Sequence, residues 1–221
     1  MTTVRTNVLC LAFIAITIAV AAFLYPSLPE QIPTHWNYAG EVDDYTPKPW
    51  GVMIMPLMAI FVFVVMKLIP LISPKGFRTD QFTGVVNIFA VTLVGFTSAV
   101  ALLVLLAASG RNVHINEMIF AGVGLLFIVL GNYLGKVRKN FFIGIRTPWT
   151  LASDEVWNRT HRLGGWIFVL IGFFMFLNAF LRFPEAWLIG SIVVLAMVPI
   201  VYSYVIYRNI EGFEEEAPDD D

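Results

Sequence analysis

The stretch Val85–Ala108, VVNIFAVTLVGFTSAVALLVLLAA, runs for 24 residues without a charged side chain. A helix rises about 1.5 Å per residue, so this stretch alone crosses the roughly 30 Å of hydrocarbon in a bilayer. Five further windows of the same kind flank it: Val8–Leu24, Val52–Ile72, Met118–Leu134, Leu163–Leu181 and Ala186–Tyr207. The six hold 120 of the 221 residues, and Lys67 is their one charge. Barrel strands would alternate apolar and polar over about 10 residues. These runs are continuous, so they predict an all-α, polytopic bundle of six transmembrane helices.

Composition agrees. Hydrophobic residues make up 58% of the chain and charged residues 14%, with mean hydropathy +0.76. Soluble domains carry about 25% charged residues. A soluble enzyme, a disulfide-rich module and a disordered chain are excluded. The formal charge of −2 supplies no basic field for direct nucleic-acid binding. A lone cysteine, Cys10, forms no intramolecular disulfide.

Basic residues in the loops orient the bundle. With the N-terminus cytoplasmic, Arg5, Lys75, Arg78, Lys136, Arg138, Lys139, Arg146, Arg159, Arg162 and Arg208 lie inside. Lys67 joins them by snorkelling from the inner end of its helix. Only Lys48, Arg111 and Arg182 lie outside, so both termini are expected to be cytoplasmic. The first window has a second reading as a signal peptide, because Arg5 precedes an apolar core ending in Ala19-Val20-Ala21. Its 17-residue length exceeds the usual 7–15 of such a core, which favours an uncleaved helix. Gly131-x-x-x-Gly135 and Gly95-x-x-x-Ala99 predict close helix packing. Asn87, Asn132 and Asn178 are expected in the bundle interior, and Pro56 and Pro199 are expected to bend their helices or sit near helix ends.

Two loops carry the remaining information. The outer loop, 25–51, holds five prolines and four carboxylates, with a turn at Gly40. Its candidate ligand-binding residues are His35, Trp36, Asn37, Tyr38, Glu41, Asp43 and Asp44. Such a stiff, acidic, aromatic loop suits a cationic or amphipathic ligand; packing as a lid on the bundle is the other reading. His35 with Glu41, Asp43 or Asp44 lacks a compelling metal-ligand spacing.

The inner loop, 136–166, carries six basic residues with Trp149, Trp157 and Trp166. That combination suits an amphipathic segment lying in the inner headgroup region. Ser153 reads as a helix cap followed by Asp154 and Glu155. The candidate partner-binding residues are Arg146, Thr147, Pro148, Trp149, Glu155, Trp157, His161 and Arg162. An interfacial enzyme built on Asp154, Glu155, Arg159, His161 and Arg162, or a small-solute transporter, is the alternative. No His-Glu-x-x-His, Gly-x-Ser-x-Gly or phosphate-binding loop supports the enzyme. No mid-helix carboxylate supports ion-coupled transport. No cofactor and no metal are expected.

Phe142-Ile-Gly-Ile-Arg-Thr-Pro-Trp-Thr-Leu151, with Glu155-Val-Trp157 and Thr160-His-Arg-Leu-Gly-Gly165, resembles the signature of SdpI-type membrane proteins. Ile32-Pro-Thr-His-Trp-Asn37, with Gly40-Glu41 and Asp43, resembles the DUF1648 module often joined to it. With six matching helices, the resemblance covers nearly the whole chain. It implies a non-enzymatic plasma-membrane protein of a prokaryote, giving immunity to a secreted toxic peptide, the sporulation-delaying killing factor. It also implies signalling, in which the toxin-bound protein holds a cytoplasmic transcriptional repressor at the membrane. The expected division is a DUF1648-like module over 1–72, an SdpI-like four-helix module over 73–207 and an acidic tail over 208–221. That tail departs from the family pattern, with seven carboxylates from Glu211 to Asp221.

Overall fold

In the computed structural model of the chain, residues 1–37, 39–77 and 79–212 are described, Glu185 by its backbone only. Six helices are long and apolar enough to cross a membrane: α1 (Thr3–Leu24), α2 (Lys48–Ile72), α3 (Thr83–Ala108), α4 (Ile115–Leu134), α6 (Asp154–Leu181) and α7 (Glu185–Ile210). A short helix, α5 (Pro148–Ala152), precedes α6. The protein is therefore an all-α polytopic bundle with one small β element. Strands β1 (Gln31–Trp36) and β2 (Val42–Pro47) pair antiparallel between α1 and α2.

The helices overrun the apolar windows at their polar ends. Thr2 accepts a hydrogen bond from the Arg5 amide and starts α1 five residues early. Ser153 caps the Val156 amide, and α6 runs unbroken for 28 residues from Asp154 into the apolar run. Of the basic, Trp-bearing stretch 136–166, residues 154–166 form the beginning of the long helix α6 and the rest is the loop that precedes it. Pro56 and Pro70 fall inside α2, and Pro199 inside α7.

Helix α3 packs against α1, α2 and α4, while α4 and α6 form the most intimate pair. Glycine explains that intimacy. A Cβ on Gly131 would stand 2.7 Å from the Gly165 carbonyl oxygen, and one on Gly172 would stand 2.7 Å from that of Gly124. The contact repeats every seven residues, two helical turns, on both helices. Gly135 is less crowded, and Ala99 faces outward while Gly95 makes room for the Phe13 ring. The close approach thus belongs to Gly124, Gly131, Gly165 and Gly172 rather than to Gly95 and Ala99.

Asn87 and Asn178 are buried, as expected. Asn87 donates to the Met1 carbonyl, and Asn178 accepts from the Phe183 amide. Asn132 is exposed on α4, at the rim of the Gly131 face that is turned to α6. Lys67 donates to Asn7 Oδ1 at 2.9 Å, so its charge is held by a polar group of α1. Large apolar side chains stay on the outside, including Phe23 at 82% and Leu71 at 78% exposure. In water such a surface would aggregate; lipid is its natural solvent.

Candidate functional site

Chemistry-bearing residues gather at the two ends of the bundle. At one end, β1 and β2 form a hairpin closed by an Asn37–Glu41 clasp. Asn37 Nδ2 donates to the Glu41 carboxylate at 3.0 Å, and the Glu41 amide donates to Asn37 Oδ1 at 3.0 Å. Gly40 takes the positive φ of 87° that the turn requires. Pro33 and Pro47 sit in the strands, tolerated because a two-stranded ribbon has free edges.

The hairpin is anchored, not free. Ile32 is fully buried against Gly51, Val52 and Leu28, and Trp36 packs on the same core. Lys48 donates to the Leu28 carbonyl at 2.8 Å and lies over the Tyr25 ring. Asn116, at the start of α4, donates to the Asn37 carbonyl at 3.1 Å. His35, Glu41, Asp43 and Asp44 remain exposed on the outer face. His35 Nδ1 meets Asp43 Oδ1 at 2.5 Å, and Asp44 accepts from the Tyr45 amide at 2.8 Å. Trp36 is thus partly spent on packing, while the carboxylates face outward. Tyr38 lies outside the described residues. Among the described residues, no three His, Cys, Asp or Glu side chains come close enough to share a metal ion.

At the other end, residues 135–153 fold onto α6 as a tight knot. Asn140 is fully buried and organises it: its amide donates to the carbonyls of Arg138 and Ile143, and its oxygen accepts from the amides of Phe142 and Ile143. Trp157 Nε1 donates to the Val137 carbonyl at 2.7 Å. His161 stacks on Trp157 with ring centroids 3.9 Å apart, and its Nδ1 donates to the Trp157 carbonyl at 2.8 Å. His161 Nε2 accepts the Ile145 amide at 2.9 Å. A neutral ring protonated on Nδ1 satisfies both contacts.

Thr147 and Thr150 form a reciprocal capping box that starts α5, and Thr147 also meets Ser203 of α7 at 2.9 Å. Trp149 packs edge-on against Tyr204 of α7. The knot therefore couples the α4–α6 loop to α7. Arg146 is exposed, and its guanidinium donates to the Phe141 carbonyl.

Of the eight candidate residues in this loop, Arg146, Pro148, Glu155 and Arg162 are exposed, Trp149 is half-buried, and Thr147, Trp157 and His161 are buried. Trp157 and His161 are thus core residues, closed off from any partner at the surface. Their i,i+4 spacing aims both at the loop returning from α4. Asn140 and Gly144, which complete the knot, escaped the sequence reading.

The enzyme-like cluster is dispersed. Asp154 pairs with Lys139 at 2.6 Å, and Glu155 with Arg159 at 2.6 Å. His161 has no exposed surface and both ring nitrogens are occupied, so it offers a substrate no lone pair.

Residues 136–203 match the SdpI/YfhL protein family, and residues 12–60 match the domain of unknown function DUF1648. The chain is similar to Immunity protein SdpI of Bacillus subtilis (strain 168), at 26% identity over 212 residues. That alignment covers 94% of this chain and 99% of the relative. No solved structure matches the chain. The first match spans the knot, α6 and most of α7; the second spans the second half of α1, the hairpin and the first half of α2.

Proposed function

We propose that this SdpI-type chain, with its DUF1648 module, is a non-enzymatic membrane protein that gives immunity to a secreted toxic peptide. The supporting observation is near end-to-end similarity to an immunity protein, joined to two specialised loops at opposite ends of one bundle. The acidic hairpin faces the outside and meets the peptide. The basic knot faces the cytoplasm and engages a transcriptional repressor. Both termini are cytoplasmic, on the eleven-to-three distribution of basic residues. The host membrane is the plasma membrane of a prokaryote. Residues 1–72 serve recognition and 73–207 serve transmission; the acidic tail lies mostly outside the described residues.

The enzyme alternative is disfavoured by the buried, doubly bonded His161, and transport by the lack of mid-helix carboxylates. The reading is tested by expressing the chain in a host sensitive to the killing peptide and scoring survival. Survival with the chain and death without it are expected.

A further inference from the structure

The basic end holds a cavity of about 1170 Å³ between the starts of α3 and α6 and the end of α4. Lys136, Arg138, Arg159 and Arg162 line it, against a single carboxylate, Glu155. Arg159 is neutralised by that Glu155. Among the described residues, Arg138 and Arg162 have no carboxylate partner, and Lys136 rests over the Tyr133 ring. The cavity is thus an uncompensated positive pocket built for an anion.

A second, smaller groove of about 210 Å³ abuts it, sharing Gly135, Arg162 and Trp166. Its other walls are Gly131, Asn132, Gly165 and Val169, along the α4–α6 seam. Arg162 directly precedes the apolar run that begins at Leu163, so the junction sits at headgroup depth. Trp166, 66% exposed, marks the same boundary. A polar basin opening into a slot toward hydrocarbon has the shape of a lipid, not of a free ion.

We propose that this pair of cavities binds an anionic phospholipid. Its phosphate is held by Arg138, Arg162 and Lys136, and one acyl chain runs past Trp166 along Gly165 and Val169. Arginine suits the role because its planar fork meets phosphate oxygens two at a time. Basic pockets between transmembrane helices are known to take anionic headgroups. The assignment rests on the membrane reading alone and is independent of immunity. Lipid seated here braces α3, α4 and α6 beside the knot.

The test uses purified full-length protein in detergent, with dioleoyl phosphatidylglycerol, dioleoyl phosphatidylcholine and inorganic phosphate as probes. Native mass spectrometry reads bound lipid and thermal unfolding reads stabilisation. Phosphatidylglycerol is expected to be retained and to raise Tm, while phosphatidylcholine and inorganic phosphate do neither. The Arg138→Gln/Arg162→Gln variant is expected to weaken phosphatidylglycerol retention by about tenfold or more, and Arg138→Lys/Arg162→Lys to recover part of it. Equal retention of the two lipids, or unchanged retention in the Gln variant, overturns the proposal. Stabilisation by inorganic phosphate equal to that by phosphatidylglycerol makes this a free-phosphate site and overturns the lipid assignment. If the Gln variant fails to fold, quenching by brominated phosphatidylglycerol decides: wild type must be quenched more than Trp166→Phe, and equal quenching overturns the proposal.

Discussion

The Ile145 amide donates to His161 Nε2 at 2.9 Å, tying the α4–α6 loop to α6 through a buried imidazole. The neighbouring Gly144 holds φ at 115°, and a Cβ there would collide with that ring nitrogen. Gly144→Ala is therefore strained in its backbone and displaces His161. His161→Ala leaves a part-buried amide without a partner, at a cost of about 1–3 kcal/mol. Both variants are expected to melt below wild type in detergent. A wild-type melting temperature for either would show that this bond does not hold the knot.

Trp157 and Arg146 separate fold from communication. Trp157 is 1% exposed, and its truncation to Ala is expected to cost about 3–5 kcal/mol and to lower the amount of protein in the membrane fraction. Arg146 is exposed, and its replacement by Ala is expected to change stability by only about 0.5 kcal/mol. If the knot engages the repressor, Arg146→Ala should lose membrane recruitment of that partner at normal protein levels. Co-sedimentation with membranes measures this, and full recruitment by Arg146→Ala would remove it from the contact.

The α4–α6 seam makes a prediction of opposite signs for two helical glycines. Gly131→Ala brings a methyl against the Gly165 carbonyl and is expected to cost about 1–3 kcal/mol. Gly190, in α7, has nothing within 4 Å of an added Cβ. Gly190→Ala is expected to be neutral or to gain up to about 1 kcal/mol of helix propensity. Thermal melts of the two variants, side by side, check the pair.

Orientation is open to cysteine labelling, because the native Cys10 is fully buried and contributes little background. Ser27→Cys and Arg111→Cys are expected to react with an impermeant reagent on intact cells. Lys75→Cys and Ala152→Cys are expected to react only after lysis. These four positions are exposed, whereas Ser153 is buried as the cap of α6 and makes a poor probe. Labelling of Lys75→Cys on intact cells would invert the bundle.

The six spans were legible because the physics behind them is simple: uncharged apolar runs of bilayer length leave few alternatives. Their polar ends were mixed: Ser153 reads as a cap and is one, whereas the Thr2 cap that starts α1 five residues before its apolar run carries no such signal. The hairpin was hidden by Pro33 and Pro47, which break the alternation that marks a strand, although Gly40 announced its turn. Trp157 and His161 read as surface residues available to a partner because basic residues surround them in sequence. Their burial comes from a loop that Asn140 folds back over them, and a lone asparagine among lysines and arginines carries no signal of that. The glycines of the α4–α6 seam were readable in principle, as spacings of seven on two neighbouring runs.

The central claim is that the outward hairpin recognises a toxic peptide, and survival under challenge at two salt concentrations tests it most directly. Single exposed carboxylates contribute about 0–1 kcal/mol each, so the variant to use is Glu41→Gln/Asp43→Asn/Asp44→Asn. Wild type is expected to protect a sensitive host, less strongly at high salt, where the screening length falls below the roughly 10 Å of 0.1 M salt. The triple variant, at equal membrane abundance, is expected to protect less and to lose that salt dependence. Absence of protection by wild type at normal membrane levels would contradict immunity, and full protection by the triple variant would contradict recognition by the hairpin carboxylates.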